Sequence, residues 1–91
     1  MEPLNTASNA ALRSLLEAQP TTSAKVAFAW WMAAGAAVDR ATETDWRAEG
    51  VLVVRTRAEA WRREVRIARP LLLRRLQELL GANVIARIEI D

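Results

Sequence analysis

The sequence predicts an α+β fold of order ααββαβ, a three-stranded sheet with helices packed on one face. Three observations predict it. The apolar period switches from helical to alternating and back along the chain. Pro20, Gly50 and Gly81 punctuate the periodic segments. The 91 residues, 52% hydrophobic and 26% charged, suffice for one small core and no second domain.

Each element has its own reason. Residues 1–8 are polar, contain Pro3 and are expected to be flexible, leaving 9–91 as a single domain. Over 9–18, Leu12, Leu15 and Leu16 recur at helical spacing with Ser8 as a cap, and Gln19-Pro20 ends that helix. Thr21, Thr22 and Ser23 offer caps for a second helix over 23–40, apolar nearly all round and therefore largely buried. Gly35 inside it implies close packing against another backbone. Thr42, Thr44 and Trp46 then alternate with Glu43, Asp45 and Arg47, a strand with one wet face. Ala48-Glu49-Gly50 is a compact turn into Val51–Val54, Arg55, Thr56 and Arg57, so the two strands form an antiparallel hairpin.

From Ala58 to Leu80 the period is helical again. Ala58, Trp61, Val65, Ala68, Leu72, Leu76 and Leu79 make one apolar stripe, which keeps phase across Pro70 and so predicts one kinked helix with Trp61 in the core. Gly81 stops it. Val84, Ala86, Ile88 and Ile90 alternate with Ile85, Arg87 and Glu89 as a third strand.

Composition narrows the function. There is no cysteine, histidine or tyrosine, which excludes a disulfide framework, zinc–thiolate sites and the commonest general base. Asp39, Glu43, Asp45 and Glu49 lack metal-ligand spacing, Thr21, Thr22 and Ser23 read as caps, and no phosphate-binding glycine motif occurs. No catalytic residue, metal or cofactor is expected. The longest uncharged run, Val26 to Val38, is too short for the roughly 20 residues of a membrane span, so a cytoplasmic location without membrane contact is expected.

Charge is the stronger signal. The net value is only +2, yet residues 55–75 hold eight Arg against Glu59 and Glu64. At 100° per residue Arg62, Arg66 and Arg69 fall within about 60° of one another, flanked by Arg63 and Arg74, with the apolar stripe facing the other way. Arg55 and Arg57 extend this patch from the preceding strand. Such guanidinium arrays suit phosphate oxygens of single- or double-stranded DNA, and the alternative is a solvated helix face. Trp30 and Trp31 point about 100° apart, so they cannot both face the core centrally. Trp31, Leu73 and Leu80 are the expected partner-binding residues, with self-association a version of the same idea.

The ordered series W-W-M-A-A-G (Trp30 to Gly35), G-V-L-V-V (Gly50 to Val54), A-W-R-R-E-V (Ala60 to Val65), Pro70-Leu71-Leu72 and L-L-G (Leu79 to Gly81), followed by a terminal strand, resembles the DciA family over about residues 10–91. Trp30, Gly35, Gly50, Leu52, Trp61 and Gly81 match the family's pattern as fold determinants. The resemblance implies a KH-like domain that supports bacterial replication by binding a DnaB-type replicative helicase and promoting its loading on DNA, with no ATPase of its own. The G-x-x-G loop by which KH domains clamp nucleic acid is absent. Two readings follow: a DNA-binding helicase accessory, or a protein-interaction or self-associating module without nucleic-acid contact.

Overall fold

The computed structural model describes residues 20–91. The elements are α1 (Ser23–Ala34), α2 (Ala36–Ala41), β1 (Thr42–Arg47), a 3-10 turn (Ala48–Gly50), β2 (Val51–Thr56), α3 (Glu59–Leu80) and β3 (Arg87–Ile90). The expected helix over 9–18 and the loose residues 1–8 lie outside the described residues.

Local chemistry sets most boundaries. The Thr22 hydroxyl accepts the Lys25 amide at 3.1 Å, satisfying one of the orphan donors that open α1. α1 then ends at Gly35, where the expected helix over 23–40 continued without a break. Gly35 has φ +93° and ψ 161°, a conformation that interrupts the helical ladder and re-aims the chain into α2. Nothing lies within 4 Å of the point where a Cβ would stand, so the close packing expected of Gly35 is not found and the residue serves the turn instead.

Strand order is β1-β2-β3, with β1 antiparallel and β3 parallel to the central β2. The hairpin of β1 and β2 pairs Trp46 with Leu52 and Thr42 with Thr56. A parallel β2–β3 pair needs a crossover, and α3 supplies it. α3 is one helix through Pro70, as its unbroken apolar phase predicts. Pro70 is exposed, so water can reach the carbonyl its missing N–H leaves unpaired.

The core joins α1 (Val26, Ala29, Trp30, Ala33), the inner face of the sheet (Leu52, Val54, Ile88) and α3 (Val65, Leu72, Leu76), with Ile85 from the loop before β3. Two expectations fail here. Trp61 is half-buried and outside this cluster, because α3 buries Val65, Leu72 and Leu76 and leaves its first turn at the sheet margin. The third strand starts at Arg87, not at Val84. Ile85, the residue that alternation placed outward, is fully buried, while Ala86 is exposed. The Gly81 turn and the Ala86 N–H bonded to the Gly50 carbonyl (2.7 Å) override the strand period there.

Candidate nucleic-acid interface

α3 spans 22 residues, and its side chains divide between packing and solvent. The Arg62, Arg66 and Arg69 arc lies only about 70° from the helix's core direction, so it flanks the apolar stripe rather than opposing it. Arg62 accordingly is half-buried and committed: it pairs with Glu59 one turn back and donates from Nε to the Asp91 carbonyl at 3.1 Å. Because Glu59 takes Arg62, its other helical neighbour Arg63 is left unpaired. Arg75 donates to the Ala33 carbonyl at 2.9 Å, placing a cation on the last turn of α1 where unsatisfied carbonyls and the helix dipole favour it.

Four arginines remain. Arg63, Arg66, Arg69 and Arg74 are all exposed, and among the described residues no carboxylate pairs with them. They cover about 140° of the helix circumference and about 16 Å of its axis. Uncommitted guanidinium groups on one rigid element suit the geometry of carboxylate and phosphate oxygens.

Arg55 and Arg57 stand elsewhere. Side chains alternate along β2, so Arg55 lies on the sheet face opposite Val54, away from the helices. That outer face is an ion-pair lattice: Arg47–Asp45 at 2.9 Å, Arg55–Asp45 and Arg55–Asp91 at 3.5 Å each, Arg57–Glu43 at 3.1 Å and Arg87–Glu89 at 2.9 Å. Val51 and Val53, also buried, sit in register between these charged neighbours on β1 and β3. The Arg47 hydrogen bond, with the charges of Arg47 and Arg55, holds the Asp45 carboxyl below its ordinary value. Exposed pairs of this kind are screened by solvent and add little to stability, and their larger effect is to neutralise this face. Arg55 and Arg62 still meet at Asp91, which links the sheet to the start of α3.

The expected partner-binding residues also separate. Leu73 and Leu80 are half-buried and pack against the core. Trp31 is 46% exposed and stacks on Phe28 (44% exposed) with ring centroids 5.8 Å apart, on the side of α1 turned from Trp30. Phe28 was missed, although its three-residue spacing from Trp31 on a helix signals a shared face. Ile67 and Leu71, one turn apart on α3, are exposed as well.

Among the described residues no cluster of acidic side chains could hold a metal ion, and no helix is long and apolar enough to cross a membrane. Compared with known proteins, residues 3–90 match a family model described as Dna[CI] antecedent, DciA. No curated protein and no solved structure matches the chain.

Proposed function

The chain belongs to the DciA family, and on that premise we propose that it is a non-enzymatic accessory domain that holds DNA on α3 while associating with the DnaB-type replicative helicase. Membership implies a bacterial replication role in helicase loading. The single observation that supports the DNA reading is the strip of unpaired arginines, Arg63, Arg66, Arg69 and Arg74. Each neutralised phosphate releases condensed counterions, so four contacts give a slope of log K against log salt of about −3.6 on duplex and about −2.8 on single strands. Raising salt from 50 to 200 mM then weakens duplex binding by about 150-fold.

The test is binding of labelled single- and double-stranded oligonucleotides across a salt series. Changing Arg66 and Arg69 together to Gln should bring the duplex slope to about −1.8. An unchanged slope, or binding indifferent to salt, removes the strip from the interface.

The stacked, exposed Phe28–Trp31 pair favours a protein contact as a second reading, since solvent-facing aromatics are enriched at interface centres. Trp31→Ala should then weaken helicase capture, or self-association by light scattering, while leaving the DNA salt slope intact. If capture and oligomeric state are both unaffected, the pair has no partner role.

A further inference from the structure

We infer that the free edge of β3 is a self-pairing interface, joining two copies of this chain antiparallel about a two-fold axis at Ile88. β3 is the outer strand of the sheet, and among the described residues no strand lies beyond it. The Asp91 N–H reaches back to the Val54 carbonyl of β2 at 2.9 Å. Backbone groups alternate sides along a strand, so the N–H and C=O of Ile88 and Ile90 point away from β2, into the open edge. Edge strands are commonly blunted by a proline or an inward-pointing charge. β3 has neither: it reads Arg87-Ile88-Glu89-Ile90, with Ile88 buried and Ile90 half-buried on the core side.

Charge complementarity selects a second copy as the occupant. Residues directly opposite in an antiparallel pair share one face of the sheet, so an axis through Ile88 sets Ile88 against itself and Arg87 against Glu89 of the second copy, twice. Ala86 falls opposite Ile90 and leaves room for the larger side chain. Within one chain, two nitrogens of Arg87 both donate to Glu89 Oε2, at 3.1 and 2.9 Å, and both side chains are exposed. Among the described residues nothing donates to Glu89 Oε1, so the second guanidinium adds to the existing pair and completes a square of alternating charge. Moving the axis to Glu89 would set that carboxylate against its own copy. The opposite edge is less suited: β1 centred on Thr44 sets Glu43 against Asp45, and centred on Asp45 sets that carboxylate against itself. Like charges directly opposite are destabilising. A strand this short buries little surface, so the dimer is weak and forms as concentration rises. The axis stands perpendicular to the sheet, so both copies keep their helices on the same side of it.

The experiment is sedimentation equilibrium of the full chain from micromolar to millimolar concentration, with circular dichroism to check that every variant folds. The unmodified chain should show a monomer–dimer equilibrium that weakens as salt is raised. Arg87→Glu alone, or Glu89→Arg alone, sets like charges opposite each other at both pairs and should weaken the dimer at least about tenfold. The two changes together restore opposite signs, and the dissociation constant should return to within about threefold of the original. A purely intrachain role for the Arg87–Glu89 pair would move the melting temperature of the single variants and leave association alone. Trp31→Ala should leave this equilibrium unchanged, which separates it from self-association through the Phe28–Trp31 pair. A chain that is monomeric throughout, single reversals that associate like the unmodified chain, a folded double variant that stays monomeric, or loss of the dimer in Trp31→Ala overturns the assignment.

Discussion

Trp30 and Thr42 form the joint between α1, α2 and β1, and a double-mutant cycle measures it. Trp30 is 1% exposed, and its indole Nε1 donates to Thr42 Oγ1 at 3.0 Å, which in turn donates to the Val38 carbonyl at 2.8 Å. Thr42→Val preserves shape and removes the hydroxyl. It strands the indole N–H where water cannot reach, at a cost of about 1–3 kcal/mol, while the half-buried Val38 carbonyl can be rehydrated. Trp30→Phe removes the donor, so in that background Thr42→Val forfeits only an ordinary hydrogen bond, about 0.5–1.5 kcal/mol. The coupling between the two changes should therefore be about 1 kcal/mol, large against the 5–15 kcal/mol of a typical domain. Urea unfolding followed by far-ultraviolet circular dichroism is the assay, because tryptophan fluorescence is altered by one of the mutations. If Thr42→Val costs the same in both backgrounds to within about 0.3 kcal/mol, the indole bond is not what holds the joint.

Other outcomes follow from burial and backbone geometry. Trp61→Ala should cost no more than about 1.5 kcal/mol, since the ring is half-buried outside the core, whereas Trp30→Ala should cost about 3–5 kcal/mol; similar thermal melts for the two variants would contradict that ranking. Gly50→Ala should destabilise by about 2–4 kcal/mol in the same melts, because φ is +75° and the new Cβ would stand 2.8 Å from the Ala86 amide nitrogen. Gly35→Ala, strained in φ but free of contacts, should cost less. Asp45 has a folded-state pKa below its unfolded value, so its contribution is present above about pH 4 and is lost as pH falls through the lowered value. An acid-unfolding curve of Asp45→Asn should accordingly lose stability at neutral pH and show a shallower fall below pH 4 than the unmodified chain.

Much of the scaffold was legible because its signals are local. Thr22 caps α1, the alternation of Thr42, Thr44 and Trp46 sets the face of β1, and the stripe from Val65 to Leu76 holds phase through Pro70. The sequence suggests a packing site at Gly35 because helix propensity alone cannot distinguish a tolerated glycine from a positive-φ break. Ile85 defeated the strand period because one hydrogen bond, donated by the Ala86 N–H to the sequence-distant carbonyl of Gly50, decides where β3 begins. Trp61 lay in phase with the core stripe, but phase does not say where along its length a helix leaves the core.

By itself the sequence determined the order of helices and strands, the hairpin, the membership of the family and the concentration of arginine between residues 55 and 75. Only the tertiary structure decided which of those arginines are at liberty. Pairing depends on which carboxylates the fold brings within about 4 Å: Asp45 and Glu43 on β1 reach Arg55 and Arg57, and Asp91, just past β3, reaches Arg55, all distant in sequence from the arginines they hold. One uniform basic run thus becomes a neutralised sheet face, a cation on the last turn of α1 and an unpaired strip along α3. Periodicity reports direction around a helix, whereas charge neutralisation is a property of neighbours in space.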